Sequence, residues 1–290
     1  MIDEVRILRE TFVARAEHFQ TIDSTNNRAA ECAARGVDSM PLLIVADEQT
    51  AGRGRGAKRW WTGPGALTFS LLLGAETVAP DRRRSPLLSL AVAAAVADAA
   101  AQLLPNHHIG LKWPNDVYCV EPMTRAFSPD CLRDASLKYG HSSFSRKLAG
   151  ILIEVLANRW HVVGVGLNTN NTAADAPAEL QANVCTIRDV AGQTHDQTDV
   201  LVDLLKRMEK AFAELRNSPE QVADRANELC LIRGSEVALQ WHGSRATGRC
   251  RGIASDGALL LETTLGLKSF HSGTIVAIDN RAAGDQAPAF

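Results

Sequence analysis

Leu148-Ala149-Gly150-Ile151-Leu152-Ile153-Glu154-Val155 and His161-Val162-Val163-Gly164-Val165-Gly166-Leu167 are two apolar runs separated by the polar break at Ala157-Asn158-Arg159. Such a pair reads as a β-hairpin. Working outward, Leu67 to Leu73 is a further strand, and Pro41 to Ala46 is a short apolar run typical of a buried one. Ile109 to Tyr118 reads as a strand that breaks at Pro114 and resumes after Asn115-Asp116. Helical segments alternate with these. Ser24-Thr25-Asn26 stands as a cap before the helix formers 28–35, which end at Gly36. After a polar turn around Pro80 to Ser85, an alanine-rich helix runs from about Ser89 to Leu104. Thr198 to Arg216 carries Val200, Leu201, Leu204, Leu205, Met208 and Phe212 at helical spacing, a core-facing stripe. Alternation of this kind places the chain in the α/β or α+β class.

After Leu231 the pattern changes. Val237-Ala238-Leu239, Ala246-Thr247-Gly248, Gly252-Ile253-Ala254, Ala258 to Leu261 and Gly273 to Val276 are short strand candidates, with Asp256-Gly257 a hairpin turn between two of them. This predicts a small β-barrel appended to a larger domain. The expected division is 1–231 for the larger domain, 232–280 for the barrel and 281–290 for a loose tail.

Composition excludes several classes. Thirty-one Lys and Arg against 33 Asp and Glu give a formal net charge of -2, so any attraction for polyanions has to be local. Six cysteines lie scattered with no C-x-x-C pair, which argues against zinc and a disulfide framework and for free thiols in a reducing cytosol. The first twelve residues are charged throughout, without a signal core. The apolar stretch Leu87 to Leu104 is mostly alanine and contains Asp98, as in a buried helix rather than a membrane span.

Two segments break the rules of their surroundings. Gly52-Arg53-Gly54-Arg55-Gly56-Ala57-Lys58-Arg59-Trp60 places four cations among three glycines, whose backbone N–H groups can approach an anion closely. It lacks P-loop spacing; a solvated basic loop, a phosphate-binding loop and an RNA-binding patch all fit. Trp60-Trp61 suits a purine stack or a core cover. In Leu111-Lys112-Trp113-Pro114-Asn115-Asp116, charged and amide groups interrupt an apolar run, as at a site on a strand end or in an Asx turn. Asp116 there suits Mg²⁺ beside phosphate oxygens. Lys147 at the mouth of a strand fits a site or a solvated end, and Gly164-Val165-Gly166 alone is a weak dinucleotide signal.

In their order, Ser24-Thr25-Asn26, Asp47-Glu48-Gln49-Thr50-Ala51-Gly52-Arg53-Gly54-Arg55, Lys112-Trp113-Pro114-Asn115-Asp116, Lys147-Leu148-Ala149-Gly150-Ile151-Leu152-Ile153-Glu154 and Gly164-Val165-Gly166-Leu167-Asn168 resemble the biotin protein ligase family. The resemblance implies an α+β fold: a class II aminoacyl-tRNA synthetase-like catalytic domain, with a mixed sheet and flanking helices, and a small C-terminal SH3-like β-barrel. It implies ATP-dependent activation of biotin as biotinyl-5'-AMP and transfer to a lysine of a biotin carboxyl carrier domain.

Carried over residue by residue, Arg55 and Lys147 are the implied catalytic cations. The implied biotin-binding set is Ser24, Thr25, Asn26, Gln49, Gly52, Arg53, Arg55, Lys147, Gly150, Gly164 and Gly166, the last three leaving room for the bicycle and tail. Arg53, Arg55, Trp60, Lys112, Asn115 and Asn168 are implied for ATP or adenylate, with Trp60 stacking on adenine. Asp116 is implied for Mg²⁺. A cytoplasmic enzyme is expected, without membrane or DNA binding, since about twenty residues before Ser24 are too few for a three-helix DNA-binding unit. The family has both monomers and dimers, so a homodimer is open. A lipoate ligase, a DNA-binding biotin sensor and a non-catalytic adaptor are the rivals.

Two departures from the family pattern stand out. Gly56, Ala57 and Lys58 replace a further arginine, glycine and arginine, which predicts altered loop ordering. The stretch Cys119 to Arg146 is longer than usual between these motifs and reads as a surface insertion.

Overall fold

The computed structural model describes residues 2–78, 85–120 and 145–279. The expected tail and most of the 119–146 insertion, including Cys131, lie outside the described residues. So does most of the polar turn around Pro80 to Ser85.

The larger sheet has seven strands, β1 (Arg15–Ile22), β2 (Leu42–Gln49), β3 (Leu67–Leu73), β4 (His108–Lys112), β5 (Asp116–Val120), β6 (Ser145–Val155) and β7 (His161–Leu167), in the order β1-β2-β3-β7-β6-β5-β4. Its β1–β2 pair is parallel and every other pair antiparallel, so the sheet is mixed. The hairpin read first is β6 and β7, with Ala149 opposite Leu167 and Val155 opposite His161.

Helices cover both faces, and the period-2 pattern of β2 shows why. Leu43 and Val45 join the main core under α4 (Ser85–Leu103) and α7 (Gln197–Asn217). Leu42 and Ile44 point the other way, joining Ala29 and Cys32 of α2 (Thr25–Arg35) in a second, smaller core. Gly36 ends α2 at φ +81°, as its position in the sequence suggests. The segment Pro86–Leu103 has the length and hydropathy of a membrane span, but 67% of it is buried within the fold. It packs against α7, α8 (Pro219–Glu228) and the sheet, and its Asp98 pairs with Arg225. It is the central helix of the core.

Three expectations change. The strand read from Ile109 to Tyr118 breaks at Pro114 and resumes at Asp116, but in the opposite direction, with Lys112 opposite Asp116, because Trp113-Pro114-Asn115 forms the turn between β4 and β5. Trp113 is buried there and donates from Nε1 to Gly257 O at 3.1 Å. Residues 246–248 and 252–253 belong to one long strand, β9 (Ser244–Ile253), instead of two. Strand β11 (Gly266–Phe270) has no counterpart in the reading above.

The remaining elements are α1 (Glu4–Glu10), α3 (Ala75–Val78), a 3₁₀ turn (Ala173–Asp175), α5 (Ala178–Gln181) and α6 (Ile187–Ala191). The smaller, SH3-like sheet contains β8 (Glu236–Trp241), β9 (Ser244–Ile253), β10 (Leu259–Thr263), β11 (Gly266–Phe270) and β12 (Thr274–Asp279). Its antiparallel order is β11-β10-β9-β8-β12. The Asp256-Gly257 turn joins β9 and β10 as predicted, with Gly257 at φ +87°. A Cβ on Gly257 would stand 2.9 Å from Leu87 N, at the start of α4. The turn therefore docks the small sheet onto the larger one at Trp113 and onto α4.

Gly257→Ala should accordingly cost about 2–3 kcal/mol, left-handed strain plus a backbone clash. Gly266→Ala, at φ +98° with open space around it, should cost only the strain, about 1–2 kcal/mol. Equal denaturation midpoints for the two variants would show that the turn is not a docking point.

Candidate active site

A cleft of about 480 Å³ opens where the N-terminus of α2, the end of β2, the 52–60 loop, the β4–β5 turn and strands β6 and β7 meet. Residues 240–242 and 272–275 of the small sheet close one side.

One wall is a hydrogen-bonded chain of side chains. Gln49 Oε1 accepts from Thr25 N at 2.9 Å and from Thr25 Oγ1 at 3.1 Å, while Gln49 Nε2 donates to Thr62 Oγ1 at 3.2 Å. Ser70 Oγ lies 2.7 Å from Thr25 Oγ1 and 2.6 Å from Asn26 Oδ1. Asn26 Nδ2 donates to Glu154 Oε2 at 2.7 Å. Ser24, Thr25 and Asn26 are all buried, held at the first turn of α2 where that helix meets the sheet. Every amide and hydroxyl in this chain is oriented by a neighbour, as a preorganised polar wall requires.

The glycine–arginine segment is a closed hairpin rather than an open anion cradle. Trp60 N donates to Gly52 O at 3.0 Å, Gly54 N to Lys58 O at 2.9 Å, and Lys58 N to Arg55 O at 3.2 Å. Arg53 and Arg59 face each other across it. The Gly54 N–H is thus committed within the loop. Gly52 serves the loop too: a Cβ there would lie 2.5 Å from Trp60 O, and Gly52 does not line the cleft. Gly56, at φ +63°, makes the turn in the segment that departs from the family pattern.

The hairpin lays the Trp60 indole across β6 and β7. A Cβ on Gly166 would strike Trp60 Cε2, and one on Gly150 would stand 3.2 Å from Trp60 Cζ3. A Cβ on Gly164 would strike Asn26 Oδ1. The three glycines make room for Trp60 and Asn26, and all three also line the cleft. Trp60 Nε1 is buried without a hydrogen-bond partner.

Cations gather beside this floor. Lys147 Nζ lies 2.7 Å from Asp116 Oδ1 and 5.6 Å from the centre of the Trp60 ring. Arg55 Nη1 donates to Asn115 Oδ1 at 3.3 Å and to Gly273 O at 3.2 Å, spanning from the hairpin to the small sheet. Asn115 is fixed in turn by its Nδ2 on Ile151 O at 2.8 Å. Lys112 Nζ sits 5.5 Å from the centre of the Tyr118 ring. Burial pulls the Arg55 guanidinium below its ordinary value and Asp116 partly offsets this. Burial likewise lowers Lys112, with Asp116 opposing and Lys58 and Lys147 adding to the fall. Arg55 stays charged regardless. The site thus concentrates positive charge around a single carboxylate, a receptor for an anion larger than Asp116.

Two expected ligands have protein partners of their own. Arg53 directs its fork at Glu154, with Nη2 2.8 Å from Oε1 and Nη1 3.1 Å from Oε2, and Nη1 also meets Asn27 Oδ1 at 3.0 Å. It anchors the hairpin and also lines the cleft. Asn168 is buried behind Lys147, donating to its carbonyl at 3.5 Å and accepting from Asn171 at 3.0 Å, and does not line the cleft. Among the described residues no cluster of three or more His, Cys, Asp or Glu is placed to hold a metal. Asp116 suits Mg²⁺ only as one ligand beside phosphate oxygens. The sequence reading did not single out Glu154, Ser70 or Thr62 as site residues, nor the small-sheet residues Trp241, His242 and Gly273. Ser70 gave a signal, a hydroxyl in the apolar run Leu67 to Leu73.

Gly166→Ala should displace the Trp60 indole and cost about 1–3 kcal/mol. The same change made in a Trp60→Ala background should cost far less. Equal losses in the two backgrounds, measured by urea unfolding, would mean that the indole seat is wrong.

Residues 18–170 match the biotin/lipoate A/B protein ligase family, and residues 234–277 match the biotin protein ligase C-terminal domain. The biotin--[acetyl-CoA-carboxylase] ligase of Mycobacterium tuberculosis is 30% identical over 270 residues, 90% of each chain. A bifunctional ligase/repressor of Bacillus subtilis is 26% identical over 89% of this chain and 72% of its own length. The biotin protein ligase of Aquifex aeolicus, solved in complex with biotin and ATP, superposes with a TM-score of 0.72 at 27% identity, over 90% of this chain and 97% of that one. With the five motifs gathered around one cleft, this chain belongs to the biotin/lipoate A/B protein ligase family.

Proposed function

We propose that the chain activates biotin with ATP as biotinyl-5'-AMP and passes the biotinyl group to a lysine of a biotin carboxyl carrier domain. The observation that carries this reading is the single cleft with a hydroxyl–amide wall at one end and Lys147, Arg55 and Lys112 at the other. The wall suits a cyclic urea and the indole floor suits an apolar bicycle and tail. The cations suit a carboxylate meeting a triphosphate.

In the first step a carboxylate oxygen attacks the α-phosphorus and pyrophosphate leaves. Two anions approach each other and charge builds at phosphorus. Lys147 exchanges Asp116 for the incoming carboxylate, and Arg55 gives its fork to the phosphate. Both are held in place beforehand, so little reorganisation opposes the reaction. Lys112, poorly solvated and facing Asp116, adds charge on the same side. Asp116, the carboxylate of the cleft lining, would hold a Mg²⁺ ion beside phosphate oxygens, and the ion would offset charge on the triphosphate. In the second step the acceptor's amine attacks the acyl carbon and AMP leaves, which needs no enzyme nucleophile.

Among the described residues Cys32, Cys119, Cys185, Cys230 and Cys250 form no disulfide, which supports a cytoplasmic setting.

ATP–pyrophosphate exchange should be driven by biotin and not by lipoate, and a carrier domain incubated with biotin, ATP and Mg²⁺ should gain one biotinyl group by mass spectrometry. Exchange driven by lipoate alone would reassign the substrate. Arg55→Ala and Lys147→Ala should each fold normally and slow adenylate formation by about 10²–10³. Wild-type rates in both would show that the chemistry lies elsewhere.

A further inference from the structure

Glu154 does not line the cleft, yet its carboxylate touches a residue that does. A carboxylate only accepts hydrogen bonds. The Asn26 group 2.7 Å from Glu154 Oε2 is therefore its NH₂, which turns Asn26 Oδ1 toward Ser70. That oxygen also only accepts, so the one hydroxyl proton of Ser70 goes to it across 2.6 Å. Ser70 Oγ is left to accept from Thr25 Oγ1 at 2.7 Å. The alternative target of the Thr25 proton is Gln49 Oε1, which also takes the Thr25 backbone N–H. In either case the Thr25 hydroxyl gives its proton to the protein and offers lone pairs to the cleft. The directions of the Asn26 and Ser70 bonds follow from one part-buried carboxylate, itself fixed by the two-pronged pair with Arg53.

We propose that Glu154, acting through Asn26 and Ser70, sets the hydrogen-bond polarity of the cleft wall so that it accepts N–H groups, making it a positioning residue for the choice of a cyclic urea. The inference rests on the biotin reading above and adds to it how the ring is selected. Asn26 would otherwise be free to turn its amide over, since its two ends are nearly isosteric. With the amide reversed, Ser70 would donate to Thr25 and the wall would lose an acceptor.

Isothermal titration of biotin and of ureido N-methylated biotin into wild type, Glu154→Gln, Ser70→Ala and the double variant tests this. Wild type should prefer biotin. Each single variant should bind biotin about tenfold or more weaker, the value of a hydrogen bond whose buried partner is left unmatched. Binding of the methylated analogue should change little, so that the preference shrinks, and the double variant should lose no more than either single one. The Ser70→Ala arm keeps the Arg53–Glu154 pair, so it decides the matter even if Glu154→Gln folds poorly. An unchanged preference in Ser70→Ala, or fully additive losses, overturns the proposal. Wild type that fails to bind biotin overturns the functional reading, and this inference with it.

Discussion

The indole of Trp60 occupies the space where side chains on Gly150 and Gly166 would stand. Everything else in the cleft is arranged around that seat. The 52–60 hairpin reaches down to β6 and β7 because Gly52 lets the Trp60 backbone close against it. Arg55 is carried by the same hairpin to Asn115 and Gly273. Lys147, next to Gly150 on β6, meets the aromatic face instead of bulk solvent. A steric allowance in two strands thus sets the height of a loop, and the loop sets where its cations sit.

The second constraint is electrostatic. Half-buried cations are costly unless counter-charges lie near. Asp116 fills that need for Lys147 directly and eases the burial of Arg55 and Lys112. Because one carboxylate serves several cations, the resting site is under-neutralised and favours polyanions over small neutral molecules. Arg53 stands apart from this group. Its neutralisation by Glu154 makes it part of the scaffold, although it sits two residues from Arg55.

How far the sequence speaks depends on where each segment lies. Strands β3 and β7 are buried on both faces, so their runs are mostly apolar and their limits are legible. Strand β1, Arg15–Ile22, is an edge strand left partly exposed, pairing only with β2, and its mixed residues carry no period. Helix α8 is similarly polar outside its contact stripe of Val222, Ala223 and Ala226. The motifs marked the cleft because rule-breaking residues at strand ends stand out locally. They could not reveal that Gly164 serves Asn26 and Gly166 serves Trp60, nor that Glu154 pairs with Arg53. Those partners lie a hundred or more residues apart, and the register of β3, β7 and β6 brings them together.

The bond from Arg55 to Gly273 has a bearing on how such a chain can vary. Its acceptor is a main-chain carbonyl, which every residue type supplies. Gly273 itself is held to glycine, at φ +145° with Leu239 Cδ1 2.8 Å from where a Cβ would stand. Point changes elsewhere in the small sheet leave that oxygen in place, whereas lengthening or shortening the turn before β12 moves it. The link between the 52–60 loop and the C-terminal sheet is therefore written in one glycine and in chain length. A chimera that swaps this sheet for a relative's would keep the link only where the turn has the same number of residues.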